Sequence, residues 1–375
     1  MRNLCAFFTC LLLTTISLAQ ETSTPITLGT KHVVTSAILK EEMTIQVYAP
    51  DGYDTSQEEY PVLFILDGQQ YFFSGVGLQK AIRRPRAVPK MIVVGITTDP
   101  SVRWTWFFDE KEKFTSFLID ELIPFIGTNY RAKEEHVIFG WEAAAYFVSE
   151  LVLTHPEAFH GGIATNGGYA AAELVEDFSP TQTTYMYMAN SRRDIYNIGE
   201  TEAFYEILKE HAPQNLVWEY DLINEEIHES LAHVALYKGL RFFYHNYNSL
   251  SFESIQQYED LGGMEYLNHY FEGRAQRFGG DGAIDNSTKN TLIWLAWNRD
   301  NFEYFQLFMT EFEDVLSTDR YASAYWQNRF GQFYLKHQDY PNAIKYFNAG
   351  LTQYPNSRFE EQMKEGLAEA KRKAD

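Results

Sequence analysis

The sequence predicts an α/β protein: a mainly parallel sheet covered by helices on both faces, followed by an all-helical region. Three observations carry that prediction. Apolar runs such as Pro61-Val62-Leu63-Phe64-Ile65-Leu66 and Met91-Ile92-Val93-Val94-Gly95-Ile96 lack polar alternation, as strands buried on both faces do. Across about 26–247 such strands alternate with helical periodicity, the pattern of a parallel sheet. From about 251 the strand pattern stops and aromatic-rich helical periodicity replaces it. The expected division is therefore a leader at 1–19, an α/β domain at 20–248 and a helical domain at 249–375.

Taken in order, 31–49 alternates well enough for two strands, the clearer being Thr44-Ile45-Gln46-Val47-Tyr48-Ala49 before the turn Pro50-Asp51-Gly52. The two buried runs follow, the first capped by Asp67-Gly68. Phe114, Phe117, Leu118, Leu122 and Ile123 recur at helical spacing over 113–130, with Pro124 marking a bend. His136-Val137-Ile138-Phe139 reads as a buried strand that runs into a sharp turn, Gly140-Trp141-Glu142, and leaves through a helix at 143–154. Strands at about 159–166, 184–189 and 216–220 come next, with a helix at 200–211. His228 and His233 head a helix running to 244.

In the helical region, 325–355 matches the tetratricopeptide consensus in order and spacing through Gly331, Tyr334, Ala343, Phe347 and Pro355, with Gly350 where alanine is usual. Small residues there let two helices approach while aromatics fill the space between them. One repeat cannot bury its own face, so 290–317, with Trp294, Trp297, Phe302, Phe305 and Phe308, is expected to supply a degenerate earlier repeat. The segment 359–373 reads as a closing helix, and the aromatic stripe from Trp294 to Phe312 as packing core.

The 375-residue chain is 45% hydrophobic and 16% aromatic, a composition able to fill a core. Its formal net charge of -20 argues against nucleic acid or an anionic membrane as partner. Arg2, the apolar run from Cys5 to Leu18 and the small residues Ser17 and Ala19 read as an export signal, so the protein is expected to be periplasmic or extracellular. Cleavage after Ala19 removes Cys5 and Cys10, and with them any thiol chemistry and any membrane span. No residue cluster has metal spacing and no glycine-rich loop has a phosphate fingerprint, so neither a metal nor another cofactor is expected.

The α/β part resembles the "Putative esterase" family, the esterase-D and enterochelin-esterase-like branch of the α/β-hydrolases. The resemblance covers about 26–247. It runs through Tyr60-Pro61 to Asp67-Gly68, Ile92 to Ile96 followed by Arg103, Phe117 to Ile126, Tyr130-Arg131, His155-Pro156-Glu157-Ala158-Phe159, and His228-Glu229-Ser230-Leu231 before Gly239-Leu240. Some bacterial members carry a C-terminal helical extension, as this chain does. The resemblance implies an α/β-hydrolase fold with a nucleophile elbow at 140–144. It puts the base on His228 and the acid on Asp194, with Glu200 second. The oxyanion-hole candidate is the Ala143 amide. Where the family has G-H-S-x-G-G, this chain has Gly140-Trp141-Glu142-Ala143-Ala144-Ala145, so the nucleophile position falls on Glu142.

A serine hydrolase needs a hydroxyl nucleophile, a histidine to take its proton, and donors for the oxyanion. Glutamate has no proton to give at neutral pH, and its carboxylate disfavours a second negative charge beside it. Three readings follow. The first is a non-catalytic esterase-fold protein that binds a small molecule in the old cleft or a protein through the helical repeats, with Glu142 and His228 closing the site as an ion pair. The second is a hydrolase using Glu142 as nucleophile or base. The third is an ester hydrolase using another serine, although no second G-x-S-x-G exists and Ser149 lies inside the following helix. Bland alternatives stand beside these: Asp194 can pair with its neighbours Arg192 and Arg193, His228 can be a helix-cap residue, and His233 reads as structural.

Overall fold

The structure is a computed structural model that describes residues 23–82 and 87–374. The expected export signal and both cysteines lie outside the described residues. Eight strands form one sheet: β1 Thr30–Ser36, β2 Glu41–Tyr48, β3 Tyr60–Leu66, β4 Ile92–Ile96, β5 Ala132–Trp141, β6 Gly161–Thr165, β7 Thr184–Asn190 and β8 Leu216–Leu222. Their order is β1-β2-β4-β3-β5-β6-β7-β8. β1 and β2 pair antiparallel, as do β2 and β4; every other pairing is parallel.

Parallel strands need crossovers, and helices supply them. These are α1 Gly68–Ile82, α2 Lys111–Ser116, α3 Ile123–Asn129, α4 Ala143–Thr154, α5 Ala172–Glu176 and α6 Ile198–His211, and α7 His228–Phe243 follows the last strand. The sequence hides α1, whose Gly68, Gly75 and Gly77 weaken its helical signal. The helix expected over 113–130 is interrupted: Phe117–Leu122 is π-helical, and a second π turn, Thr105–Asp109, precedes α2.

β3 shows why the central runs are apolar throughout. Val62, Phe64 and Leu66 enter the core on one face of the sheet, while Leu63 and Ile65 enter the core on the other. All five are wholly buried, so a polar residue at any of them would be stranded away from water.

After α7 the chain is helical: α8 Ile255–Asp260, α9 Gly263–Phe278, α10 Asn286–Asn298, α11 Phe302–Glu311, α12 Glu313–Leu316, α13 Ala324–Lys336, α14 Tyr340–Gln353 and α15 Glu360–Ala374. These helices hold a third core built on Phe305, Phe308, Phe330, Phe347 and Met363. Close approach requires Gly331, where a Cβ would come within 2.5 Å of the Phe347 ring. Within the aromatic stripe Phe305, Phe308 and Phe312 are buried, but Trp294 and Trp297 are only partly covered and flank Arg329. No helix among the described residues is long and apolar enough to cross a membrane.

The helical region meets the sheet at the amino ends of its strands. Arg277 of α9 lies 3.7 Å from Glu135 of β5 and donates to the Tyr185 hydroxyl at 3.3 Å. Its guanidinium also sits over the rings of Tyr185, Phe243 and Phe278, at 4.9, 4.8 and 4.7 Å. Burial raises the Glu135 carboxyl above its ordinary value, an effect that the Arg277 charge opposes without overcoming.

Candidate functional site

The opposite end of the sheet collects the charged groups. Asp67 follows β3, Arg103 follows β4, Glu142 follows β5, Asn166 follows β6, Asp194 follows β7 and His228 begins the helix after β8. Crevices at the carboxyl ends of parallel strands are where ligands bind in such sheets.

Glu142 stands at the tip of the turn between β5 and α4, with φ 54° and ψ -118°. A non-glycine residue held there costs on the order of 1–3 kcal/mol, and surrounding bonds must enforce it. They do: the Glu142 amide donates to Thr165 O at 2.9 Å, and its carbonyl accepts from the Ala145 amide at 2.9 Å. Gly140 makes the tight turn possible, since any Cβ there would collide with the Ala144 carbonyl and the Val148 side chain. On the other side Gly167 closes over the turn; a Cβ on it would lie 2.8 Å from the Tyr146 ring.

The Glu142 carboxylate is 36% exposed and shared between two bases. Oε2 accepts from Arg103 Nη1 at 3.0 Å, and Oε1 lies 3.7 Å from His228 Nε2. The ion pair expected with His228 is therefore the looser of the two. Arg103 is the tighter partner because Asp67 aims it: Arg103 Nε donates to both Asp67 oxygens at 3.0 Å, and Nη2 to Oδ2 at 2.9 Å. Nη2 also donates to the Trp141 carbonyl at 2.7 Å. Thr98 donates to Asp67 as well, and Asp67 itself is buried. Burial works against the Arg103 charge, but the bonds to Asp67 and the charges of Asp67 and Glu142 outweigh it and raise its pKa.

Behind Glu142, His228 Nδ1 is 3.0 Å from Asp194 Oδ2, whose side chain is 0% exposed. Asn166, wholly buried at φ 58°, donates from Nδ2 to Asp194 Oδ2 at 2.7 Å and to the His228 carbonyl at 2.8 Å. Asp194 thus faces His228, away from Arg192 and Arg193; Arg193 instead donates to the Glu225 carbonyl at 3.0 Å. Glu200, the alternative acid, bonds to the Tyr146 hydroxyl. His233 packs against Tyr71, with ring centroids 5.7 Å apart. Ser149 donates to the Ala145 carbonyl at 2.9 Å inside α4, and no serine hydroxyl among the described residues bonds His228. Among these residues no group of His, Cys, Asp and Glu could hold a metal ion.

Sequence reasoning named Glu142, His228, Asp194 and Ala143 as site positions and missed Arg103, Asp67 and Asn166 in that role. Each missed residue had a signal. Asp67 directly ends a buried strand, Arg103 stands a few residues beyond another, and Asn166 precedes Gly167-Gly168. Ala143 opens α4, so its amide is among the first N–H groups that lack an intrahelical acceptor. The Glu142 side chain makes no capping bond to α4; its carboxylate turns to Arg103 and His228 instead.

Residues 36–170 match the profile of a family described as "Putative esterase". The match includes Asp67, Arg103, Glu142 and Asn166 and stops before Asp194 and His228. No curated protein matches the chain in sequence. Among solved structures, an IroE-like serine hydrolase from Shewanella oneidensis is 22% identical, with 75% of this chain and 98% of that one covered at a TM-score of 0.55. An uncharacterised protein from Capnocytophaga ochracea is 16% identical and covers 92% of this chain and 99% of its own, at 0.61. A siderophore hydrolase from Aspergillus nidulans is 14% identical, covering 60% of this chain and 99% of its own, at 0.51. At these identities the likeness is one of fold: an esterase-family α/β-hydrolase fold followed by a helical region.

Proposed function

We propose that this is an exported esterase-fold protein that has given up ester hydrolysis at the elbow and uses the site to bind a ligand. The carrying observation is the carboxylate of Glu142 at the strand–helix turn, held by Arg103 at 3.0 Å. A hydroxyl there could attack an ester carbonyl and leave an acyl-enzyme. A carboxylate attacking the same carbonyl would have to form a mixed anhydride, less stable than the ester consumed. Its negative charge at the turn also disfavours a second one developing there, as a tetrahedral oxyanion would. His228, Asp194 and Asn166 then serve as the wall of a binding site. The leader at 1–19 supports export, and the repeat-like spacing through Gly331, Ala343 and Phe347 supports a tetratricopeptide-like domain that engages a protein partner.

A second reading keeps Glu142 as a base that activates water, favoured by the 3.7 Å approach of His228 Nε2. One assay decides between them. Para-nitrophenyl acetate hydrolysis by the purified protein is expected to stay at the buffer rate and to be unchanged in Glu142→Ala. Clear turnover in the native chain that disappears in Glu142→Ala would overturn the non-catalytic reading. Glu142→Ser, assayed alongside, reports whether His228 and Asp194 can still serve a hydroxyl.

A further inference from the structure

We infer that the cleft between α10 and α13 docks an extended acidic segment of a partner protein, with a side-chain carboxylate of that segment received by Arg329. The inference rests on the reading above that the helical region engages a protein partner, and it does not involve the Glu142 end. Its first ground is Arg329 itself. The guanidinium lies over the rings of Trp297, Tyr325, Trp326 and Trp294, at 4.8, 5.4, 5.6 and 5.7 Å. Nη1 donates to the Tyr325 hydroxyl at 2.6 Å, and among the described residues no carboxylate pairs with this arginine. Ring faces fix such a cation in place without using up its N–H donors. An arginine kept only to cover the tryptophans would gain from an acidic neighbour on either helix. Neither α10 nor α13 contains an Asp or Glu, in a chain that has 51 of them among 375 residues.

The second ground is the cleft. Arg329 lines a space of about 500 Å³ with Trp297, Asn298, Asn328, Gln332 and Lys336. Asn298 also lines a second space of about 400 Å³, which holds Asn290, Trp294 and Arg320. Arg320 likewise has no carboxylate partner among the described residues. The one carboxylate that lines either space, Asp300, is taken by Lys336 at 2.6 Å and His337 at 2.8 Å. What remains is a cationic surface on a chain of formal net charge -20, complementary to an acidic segment. Asn328 is 5% exposed; its Nδ2 donates to Gln362 Oε1 at 2.9 Å, and its Oδ1 has no partner. Side-chain amides both donate and accept, as a peptide backbone does. A small free carboxylate could engage Arg329 but would leave the amides and the Arg320 charge of the second space unused.

The test titrates the full chain calorimetrically with three hexapeptides blocked at both ends: hexaglutamate, hexaglutamine and hexalysine. The overall charge of the protein repels the first and attracts the last, so a preference for glutamate reports the cleft alone. Hexaglutamate is expected to bind about tenfold or more tightly than hexaglutamine. Added salt should weaken hexaglutamate and leave hexaglutamine unchanged. Arg329→Gln should bring the glutamate preference down to about twofold. Arg329→Lys keeps the charge, loses the planar fork and should weaken hexaglutamate several-fold, while Arg241→Gln on α7 changes nothing. If Arg329→Gln does not fold, Arg329→Lys and Arg320→Gln carry the comparison, the latter with a loss of about twofold to threefold. Equal or tighter binding of hexaglutamine, or hexaglutamate binding that survives loss of Arg329, overturns the acidic assignment and leaves a helical region that binds peptides. Binding of none of the three at millimolar concentration overturns both. A thymidine hexanucleotide that binds as tightly, with the same dependence on Arg329, also overturns the inference. Ester turnover that depends on Glu142 defeats only the non-catalytic reading and leaves the inference standing.

Discussion

At the carboxyl ends of the strands Arg103 bridges Asp67 and Glu142; at the amino ends of the same sheet Arg277 faces Glu135. Both are arginine–carboxylate contacts, and the comparison shows how surroundings assign them different work. Arg277 sits over the rings of Tyr185, Phe243 and Phe278, contributed from both parts of the chain, and faces a Glu135 side chain that is 19% exposed, against 36% for Glu142. Arg103 is aimed by a buried Asp67 at a carboxylate that stays open to water on a strained turn. The first pair joins two parts of the molecule. The open one holds charge ready at a surface.

The largest effect that would sharpen this contrast is at the Arg277 end. Arg277→Ala strands Glu135 and removes three ring contacts, and is expected to cost about 3 kcal/mol in urea unfolding. It should leave ligand binding at the Glu142 end unchanged. A cost near zero would mean that the helical region is held to the sheet by other contacts. A smaller effect of opposite sign is expected at the open end. Glu142→Gly relieves a non-glycine φ of 54° and keeps Arg103 on Asp67. It should raise stability by about 1 kcal/mol while abolishing binding, the signature of strain kept for function. Destabilisation instead would show that the Arg103–Glu142 bond outweighs the strain.

The smallest effect is in pH dependence. The Glu135 carboxyl is raised in the folded state, so it binds more protons folded than unfolded, and its contribution falls as pH rises from the ordinary carboxyl range through the raised value. Glutamine lacks that titration. The stability gap between Glu135→Gln and the native protein is therefore expected to move in the variant's favour as pH rises above the ordinary carboxyl range. A gap that moves the other way would mean that the Arg277 charge dominates over burial.

Much of the architecture was legible in the residues. Val62 to Leu66 can be apolar without a break only if both faces of the strand are covered, and Gly331 with Phe347 announces a close helix pair. Less legible were α1, disguised by its glycines, and the π turns that interrupt the helix expected over 113–130, because these depend on packing and not on propensity.

At the site the division is sharper. By itself the sequence determined that residue 142, at the turn where the resemblance led one to expect a serine, is a glutamate, since residue identity needs no coordinates. The family resemblance also pointed to His228 and Asp194. Only the tertiary structure decided whom each group meets. Asp194 turns to His228 and Asn166 and leaves Arg192 and Arg193 to other partners, and Glu142 is gripped first by Arg103. The physical reason is that these partners follow different strands, 39 and 28 residues apart in sequence, and meet only because parallel pairing brings the carboxyl ends of β3 to β8 to one edge. Periodicity along the chain records which face of a strand is buried; it carries no record of which charges the sheet will set side by side.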